Sequence, residues 1–159
     1  MATTTITPDP DAVVAEITIA APPERVFAAL VDAKQLLRWW SSEECPAKVW
    51  QMDAMRGGKW HYETADRTGK LVINGVSEFV ADGEILEYDP PRLLVYTWVA
   101  NWHEQPTRRT LVRWELTPAK AGTLVKVTHS GLVQETVCRK DYSGGWPGVL
   151  GLLKKHVER

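Results

Sequence analysis

The chain of 159 residues lacks most of the patterns that mark the common functional classes. It has two cysteines, Cys45 and Cys138, and they are too far apart to form a Cys-x-x-Cys metal motif. No apolar run approaches the roughly 18 residues that suggest a membrane span. The N-terminus shows no charged-then-apolar leader, so we expect a cytoplasmic protein whose two cysteines are thiols.

Charge and motif content exclude further classes. The 19 basic and 20 acidic side chains nearly cancel, so no excess of positive charge favours a nucleic-acid partner. The four histidines are scattered singly, and neither His-Glu-x-x-His nor Gly-x-Ser-x-Gly occurs. The segment 56–59 contains Gly57-Gly58 but lacks the spacing of a phosphate-binding loop. We therefore expect no metal and no cofactor. The sequence leaves enzymatic activity open and favours a protein that is not an enzyme.

The chain is instead rich in tryptophan, with eight residues of this type. Trp60, Trp98 and Trp114 lie in segments that alternate like β-strands, whereas Trp39, Trp40 and Trp146 lie at the edges of predicted helices. A buried indole contributes a large apolar area, and its N–H needs a hydrogen-bond partner. So many tryptophans indicate either an unusually bulky core or the wall of a pocket for a flat apolar ligand.

Alternation of apolar and polar residues predicts most of the secondary structure as strands. The predicted strands are residues 13–20, 47–52, 59–64, 70–80, 84–88, 93–99, 110–117 and 123–130. Turns are predicted at 57–58, 66–69, 81–83 and 89–91, where Gly, Pro, Asn and Asp cluster. The pair Asn74-Gly75 predicts a bulge within the strand 70–80.

Helical spacing of apolar residues predicts two short helices, from 23 and over 33–40, and a long closing helix over 142–158. Because Pro147 is tolerated only near a helix start, the helix proper is expected to begin at Gly145 or Trp146. Its apolar stripe is Val149, Leu150, Leu152, Leu153, His156 and Val157. The sequence thus predicts a flexible lead over 1–12 and one α+β domain over 13–159. In this domain the closing helix covers an antiparallel sheet.

Ordered motifs give the chain a family resemblance over about 13–157. These motifs are IAAPPERVFAAL at 19–30, WW at 39–40, GG at 57–58, GEILEYDPPRLLVYTW at 83–98, GTLV at 122–125, HSGL at 129–132 and GW at 145–146. The chain resembles the activator of Hsp90 ATPase homologue-like family, within the START-like, polyketide cyclase (SRPBCC) superfamily. The resemblance implies the helix-grip fold, a curved antiparallel sheet wrapped around a long C-terminal helix.

The resemblance also implies three alternative functions. The first is binding of a small hydrophobic or aromatic molecule in a cavity between the sheet and the C-terminal helix. The second is a chaperone-associated accessory role in the stress response, similar to activation of the Hsp90 ATPase. The third is a cyclase- or dehydratase-type reaction in the same cavity. Expected partners are accordingly a small ligand or a chaperone, and the chain is expected to be a monomer or a homodimer.

Strand parity selects the candidate site residues. The predicted ligand-binding wall is Trp60, Tyr62, Tyr96, Trp98, Trp114, His129 and Trp146, with a filled core as the alternative. His129 shares a face with Val125 and Val127, so it either orients a ligand, or acts as a base, or is a core histidine. Glu78 is a candidate acid or base if its carboxyl points inward, and a surface residue otherwise.

Two further histidines are weaker candidates. His103 lies beside Glu104 in the predicted polar loop 101–109, where it would either border the pocket mouth or be solvated. His61 has the opposite parity to Trp60 and Tyr62, which predicts a position on the outer face of the sheet.

Overall fold

The fold is taken from a computed structural model that describes residues 3–5, 11–43, 45–65 and 71–159. Its elements are β1 (Thr3–Thr5), β2 (Val13–Ile19), α1 (Pro23–Val31), α2 (Ala33–Trp39), β3 (Ala47–Met52), β4 (Lys59–Thr64), β5 (Val80–Asp89), β6 (Leu93–Ala100), β7 (Thr110–Ala119), β8 (Gly122–Ser130) and α3 (Thr136–Val157). The turn predicted at 66–69 lies outside the described residues. None of these helices has the length and apolar content needed to cross a bilayer.

The strands form one antiparallel sheet in the order β1-β2-β8-β7-β6-β5-β4-β3. Successive side chains of a strand point to opposite faces of the sheet. Apolar residues occupy every second position, so they share the inner face. In β8, for example, Val125, Val127 and His129 are all buried while the residues between them are partly exposed. The helix α3 packs on this face through the buried Leu150 and Leu153. The predicted α+β helix-grip fold is therefore confirmed.

The turn predicted at 81–83 is wrong, because these residues lie inside β5. Gly83 is required there by a close approach between strands and not by a turn. A Cβ atom at Gly83 would lie 1.8 Å from the Thr97 carbonyl oxygen and 2.6 Å from the Trp60 Nε1 atom. The missing side chain lets the Trp60 indole on β4 reach over β5 and donate a hydrogen bond to Thr97 on β6, at 2.9 Å.

The strand predicted over 70–80 is also wrong in its described part. Asn74 and Gly75 both have positive φ angles, 49° and 81°, which is the geometry of a tight turn. This turn is closed by a single bridge between Ile73 and Val76. The chain enters the sheet only at Val80.

The closing helix begins at Thr136, about nine residues before the predicted start, and it continues through Pro147. Buried side chains at four-residue spacing, Cys138, Tyr142 and Trp146, place this first part of the helix against the core. These tertiary contacts outweigh the low helix propensity of the glycines and of Pro147.

Candidate functional site

A cleft of about 730 Å³ lies between the sheet, the segment after α2 and the first half of α3. Its lining residues are Trp40, Ser41, Ser42, Glu43, Cys45, Tyr62, Leu71, Ile73, Phe79, Trp98, Trp102, Asp141, Tyr142, Gly144, Gly145, Trp146, Gly148, Val149 and Leu152. This volume lies within the range of about 300–1,000 Å³ that is typical of small-molecule sites.

Three indoles form the aromatic wall of the cleft. The ring centroid of Trp40 lies 6.1 Å from that of Trp98, in a stacked arrangement, and 5.8 Å from that of Trp146, edge to face. Trp98 and Trp146 are themselves 5.8 Å apart. Tyr62 extends the wall, since its ring centroid lies 6.5 Å from that of Trp40. The structure thus brings the predicted residues Tyr62, Trp98 and Trp146 to the cleft and adds Trp40.

The predicted residues Trp60, Tyr96 and Trp114 are buried behind this wall and do not line the cleft. Trp114 donates its indole N–H to the Tyr96 hydroxyl at 2.9 Å. Burial raises the pKa of Tyr96 well above 10, although the bond from Trp114 acts in the opposite direction. These three side chains support the indoles that face the cleft.

His129 is also behind the wall, and both of its ring nitrogens are engaged. The Trp146 indole N–H donates to Nδ1 at 3.2 Å, so the proton of the neutral ring resides on Nε2. That nitrogen lies 2.8 Å from the Thr110 hydroxyl, which in turn donates to the Trp98 carbonyl oxygen. Burial lowers the pKa of His129 well below 6.5, and nearby His103 lowers it further. This is the geometry of the core-histidine alternative.

Glu78 and His61 lie away from the cleft. Glu78 is on an exposed bend, since the Asn74-Gly75 turn delays entry into the sheet, and the inward alternative for its carboxyl is wrong. His61 points to the outer face of the sheet, as predicted, with Nε2 2.7 Å from the Glu63 carboxylate.

Tyr142 lines the cleft and forms a polar pair with the buried His103, a contact that the sequence did not reveal. His103 is buried, so its solvated-loop alternative is wrong, and its Nε2 lies 2.7 Å from the Tyr142 hydroxyl. The Trp98 indole N–H donates to the same hydroxyl at 3.1 Å. Burial raises the pKa of Tyr142 and lowers that of His103, so both are neutral at neutral pH. The spacing of Tyr142 and Trp146, one helical turn apart, is the signal that could have identified the tyrosine.

Glu135 anchors the loop that carries His103 to the start of α3. Its fully buried carboxylate accepts hydrogen bonds from the backbone N–H groups of Glu104, at 2.7 Å, and Gln105, at 3.0 Å. The Arg108 guanidinium adds a third bond at 2.8 Å. Burial raises the pKa of Glu135, but these bonds to Arg108, Gln105 and Glu104 outweigh it and leave the pKa below 4.5.

Two of the described residues that line the cleft are acidic. Asp141 is half-buried, and no hydrogen bond or ion pair joins its carboxyl to any other residue that the structure describes. Burial raises its pKa above 3.8 because the charged form loses hydration. Glu43 is exposed at the mouth. Within the described residues, no cluster of three or more His, Cys, Asp or Glu side chains has a metal-binding arrangement.

Three of the α3 residues that border the cleft are glycines. A Cβ atom placed on Gly144, Gly145 or Gly148 would meet no other atom within 4 Å. Each glycine in a helix interior costs about 0.5–1 kcal/mol relative to alanine. Close packing therefore does not require glycine at these positions. The lack of a side chain there leaves open volume in the cleft.

Comparison with known proteins identifies relatives over nearly the whole chain. The family model described as Activator of Hsp90 ATPase homolog 1-like protein matches residues 20–158. No curated protein matches the sequence.

Solved structures share the fold at low sequence identity. A protein from Rhodobacter sphaeroides is 17% identical, with a TM-score of 0.79 over 99% of this chain and 96% of its own. An AHSA1-like protein from Aeromonas hydrophila is 22% identical, with a TM-score of 0.71 over 92% of both chains. DynU16, a protein in the dynemicin biosynthetic locus, is 20% identical, with a TM-score of 0.71 over 95% of this chain and 48% of its own.

Proposed function

The chain belongs to the Activator of Hsp90 ATPase homolog 1-like protein family, within the START-like superfamily, and from this premise we propose that it binds a small hydrophobic or aromatic molecule in the cleft. The observation that carries the proposal is the open volume of about 730 Å³ between the sheet and α3. A cleft of this volume with a largely apolar, aromatic lining is the usual form of a small-molecule binding site.

The lining supports a flat, largely apolar ligand. Trp40, Trp98 and Trp146 present ring surface to the cleft, and an aromatic ligand gains both apolar burial and ring–ring contact from them. Leu152, Val149 and Ile73 supply aliphatic surface on other sides. The place of DynU16 in a biosynthetic locus for a small molecule agrees with this type of ligand.

Native mass spectrometry of the freshly purified protein, followed by solvent extraction, is the first test. We expect a discrete additional mass that is released on denaturation. A neutral probe, naphthalenemethanol, is then titrated while tryptophan emission and Tm are recorded. Binding to the folded state alone raises Tm by mass action. If no mass is carried and the probe changes neither emission nor Tm, the ligand proposal fails and the chaperone-associated alternative takes its place.

Two matched variants locate the site. Gly148→Leu places a large side chain in the cleft, and we expect naphthalenemethanol affinity to fall by about tenfold or more, equivalent to about 1.4 kcal/mol. Gly151→Leu makes the same change on the same helix, at an exposed position that also has open space but does not line the cleft. Equal binding by the two variants would contradict a site in the cleft.

A second candidate, catalysis of the cyclase or dehydratase type, is favoured by Tyr142, which lines the cleft and is paired with the buried His103. The neutral Tyr142 hydroxyl would donate a hydrogen bond or a proton to a ligand oxygen. The test incubates any molecule recovered by extraction with a molar excess of wild-type protein or of the Tyr142→Phe variant. A product of changed mass from the wild type alone supports catalysis, and an unchanged molecule in both reactions contradicts it.

A further inference from the structure

The described lining of the cleft carries charge of one sign only. Its ionisable side chains at neutral pH are the carboxyls of Glu43 and Asp141, and no Lys, Arg or His side chain is among the described lining residues. A bound carboxylate would therefore meet two groups of its own sign, and none of the described lining residues supplies a cation to balance it. Like charges in a partly dehydrated site disfavour binding.

Among the residues that the structure describes, Asp141 has no hydrogen-bond or ion-pair partner, which a half-buried carboxylate normally has. Burial raises its pKa because the charged form loses hydration. Leaving a charged group without a partner in such a place is costly. A cation brought by the ligand would remove this cost, so the position of Asp141 supports binding of a positive group.

The indole rings of the cleft also favour a positively charged ligand. Asp141 precedes Tyr142 on α3 and lines the same cleft as Trp40, Trp98 and Trp146. The face of an indole attracts a cation through its ring quadrupole, and an anion gains nothing from it. The described lining thus combines aromatic surface with two carboxyls and has no basic residue. Together these features favour a ligand that is apolar and positively charged.

We propose that the cleft selects a protonated amine carried on a flat apolar body, with Asp141 as the residue that binds the ammonium group. This inference rests on the proposed binding function and adds the charge of the ligand to it. Glu43, exposed at the mouth, has the smaller effect because water screens it.

The test uses three probes that share a naphthalene ring: naphthylmethylamine, naphthalenemethanol and naphthoate. Their affinities for the full-length protein are measured at neutral pH by calorimetry and by quenching of tryptophan emission. We expect the amine to bind about tenfold more tightly than the alcohol, as for a charge-assisted hydrogen bond, and the carboxylate to bind most weakly.

The variant Asp141→Asn keeps the size of the side chain and removes its charge. We expect it to bring the amine to the affinity of the alcohol while the alcohol affinity stays unchanged, which also shows that the variant is folded. The control Glu16→Gln removes a charge from the outer face of β2, where Glu16 lies opposite Lys126, and should leave all three affinities unchanged.

The outcomes separate the two proposals. Equal binding of the three probes, or an amine preference that survives in Asp141→Asn, overturns the charge inference while the ligand-binding function stands. If none of the probes binds to the wild type, both proposals fail together.

Discussion

Two faces of α3 make different contacts with the rest of the molecule. On the first, called here the packed face, Leu150 and Leu153 are completely buried in the core. On the second, called here the cleft face, Gly145, Gly148 and Leu152 border open volume. One helix thus stabilises the domain along one face and leaves space for a ligand along the other. Stability and binding should therefore respond to different substitutions on it.

The largest expected effect is on the packed face. Leu153→Ala removes a fully buried side chain, and we expect the free energy of unfolding to fall by about 3 kcal/mol, because the cavity adds to the lost burial. Denaturant titration measures this change. Naphthalenemethanol affinity should be unchanged, since Leu153 does not line the cleft.

The neighbouring Leu152 is the matched control. It is only partly buried and lines the cleft, so Leu152→Ala should cost about 1 kcal/mol of stability and should alter probe affinity. If Leu153→Ala changes probe affinity more than Leu152→Ala does, the packed face and the cleft face are not separate in function.

The next effect concerns the anchor at the start of α3. Glu135→Gln weakens three hydrogen bonds to a buried carboxylate, and we expect a loss of about 2–3 kcal/mol at neutral pH. Because folding lowers the pKa of Glu135, its stabilisation is complete above about pH 4.5 and is lost as the pH falls through the folded-state value. The difference between wild type and variant should therefore shrink below pH 4.5.

Denaturant titrations over this pH range measure the difference. Glu104→Gln makes the same change at an exposed side chain of the same loop, and it should leave stability within about 0.5 kcal/mol of the wild type. A Glu135→Gln effect that did not depend on pH would contradict the ionised anchor.

The smallest effect is a gain in stability. Gly148→Ala and Gly151→Ala should each raise the free energy of unfolding by up to about 1 kcal/mol, because alanine favours the helix and the added Cβ meets open space. Thermal unfolding measures both. Loss of stability in either variant would show that the glycine is required for packing.

The sheet was the part of the molecule most readable from sequence. Period-two alternation gave the bounds of β3 and β4 as observed, and it placed Tyr62, Trp98 and His129 on the inner face. Such alternation is a local property, so it can be recognised without knowing what packs against the strand.

The wrong predictions share one physical cause. Each concerns a feature that depends on contacts between segments far apart in the sequence. The start of α3 depends on Glu135, whose partners lie about 30 residues earlier in the chain. Burial of His103 depends on Tyr142, which lies 39 residues later. Gly83 has the composition of a turn but serves an interstrand contact. Parity also cannot distinguish residues that line a cleft from those behind them, which is why Trp60 and Trp114 were grouped with Trp98.

The reach of the Trp60 indole over Gly83 has a consequence for how the sheet opens. The hydrogen bond from Trp60 to the Thr97 carbonyl joins β4 to β6, two strands that are not neighbours in the sheet. Separation of β4 from β5 must therefore also break a bond to β6. In amide hydrogen exchange, β4, β5 and β6 should lose protection together as one cooperative unit, and the edge of the sheet should not fray strand by strand.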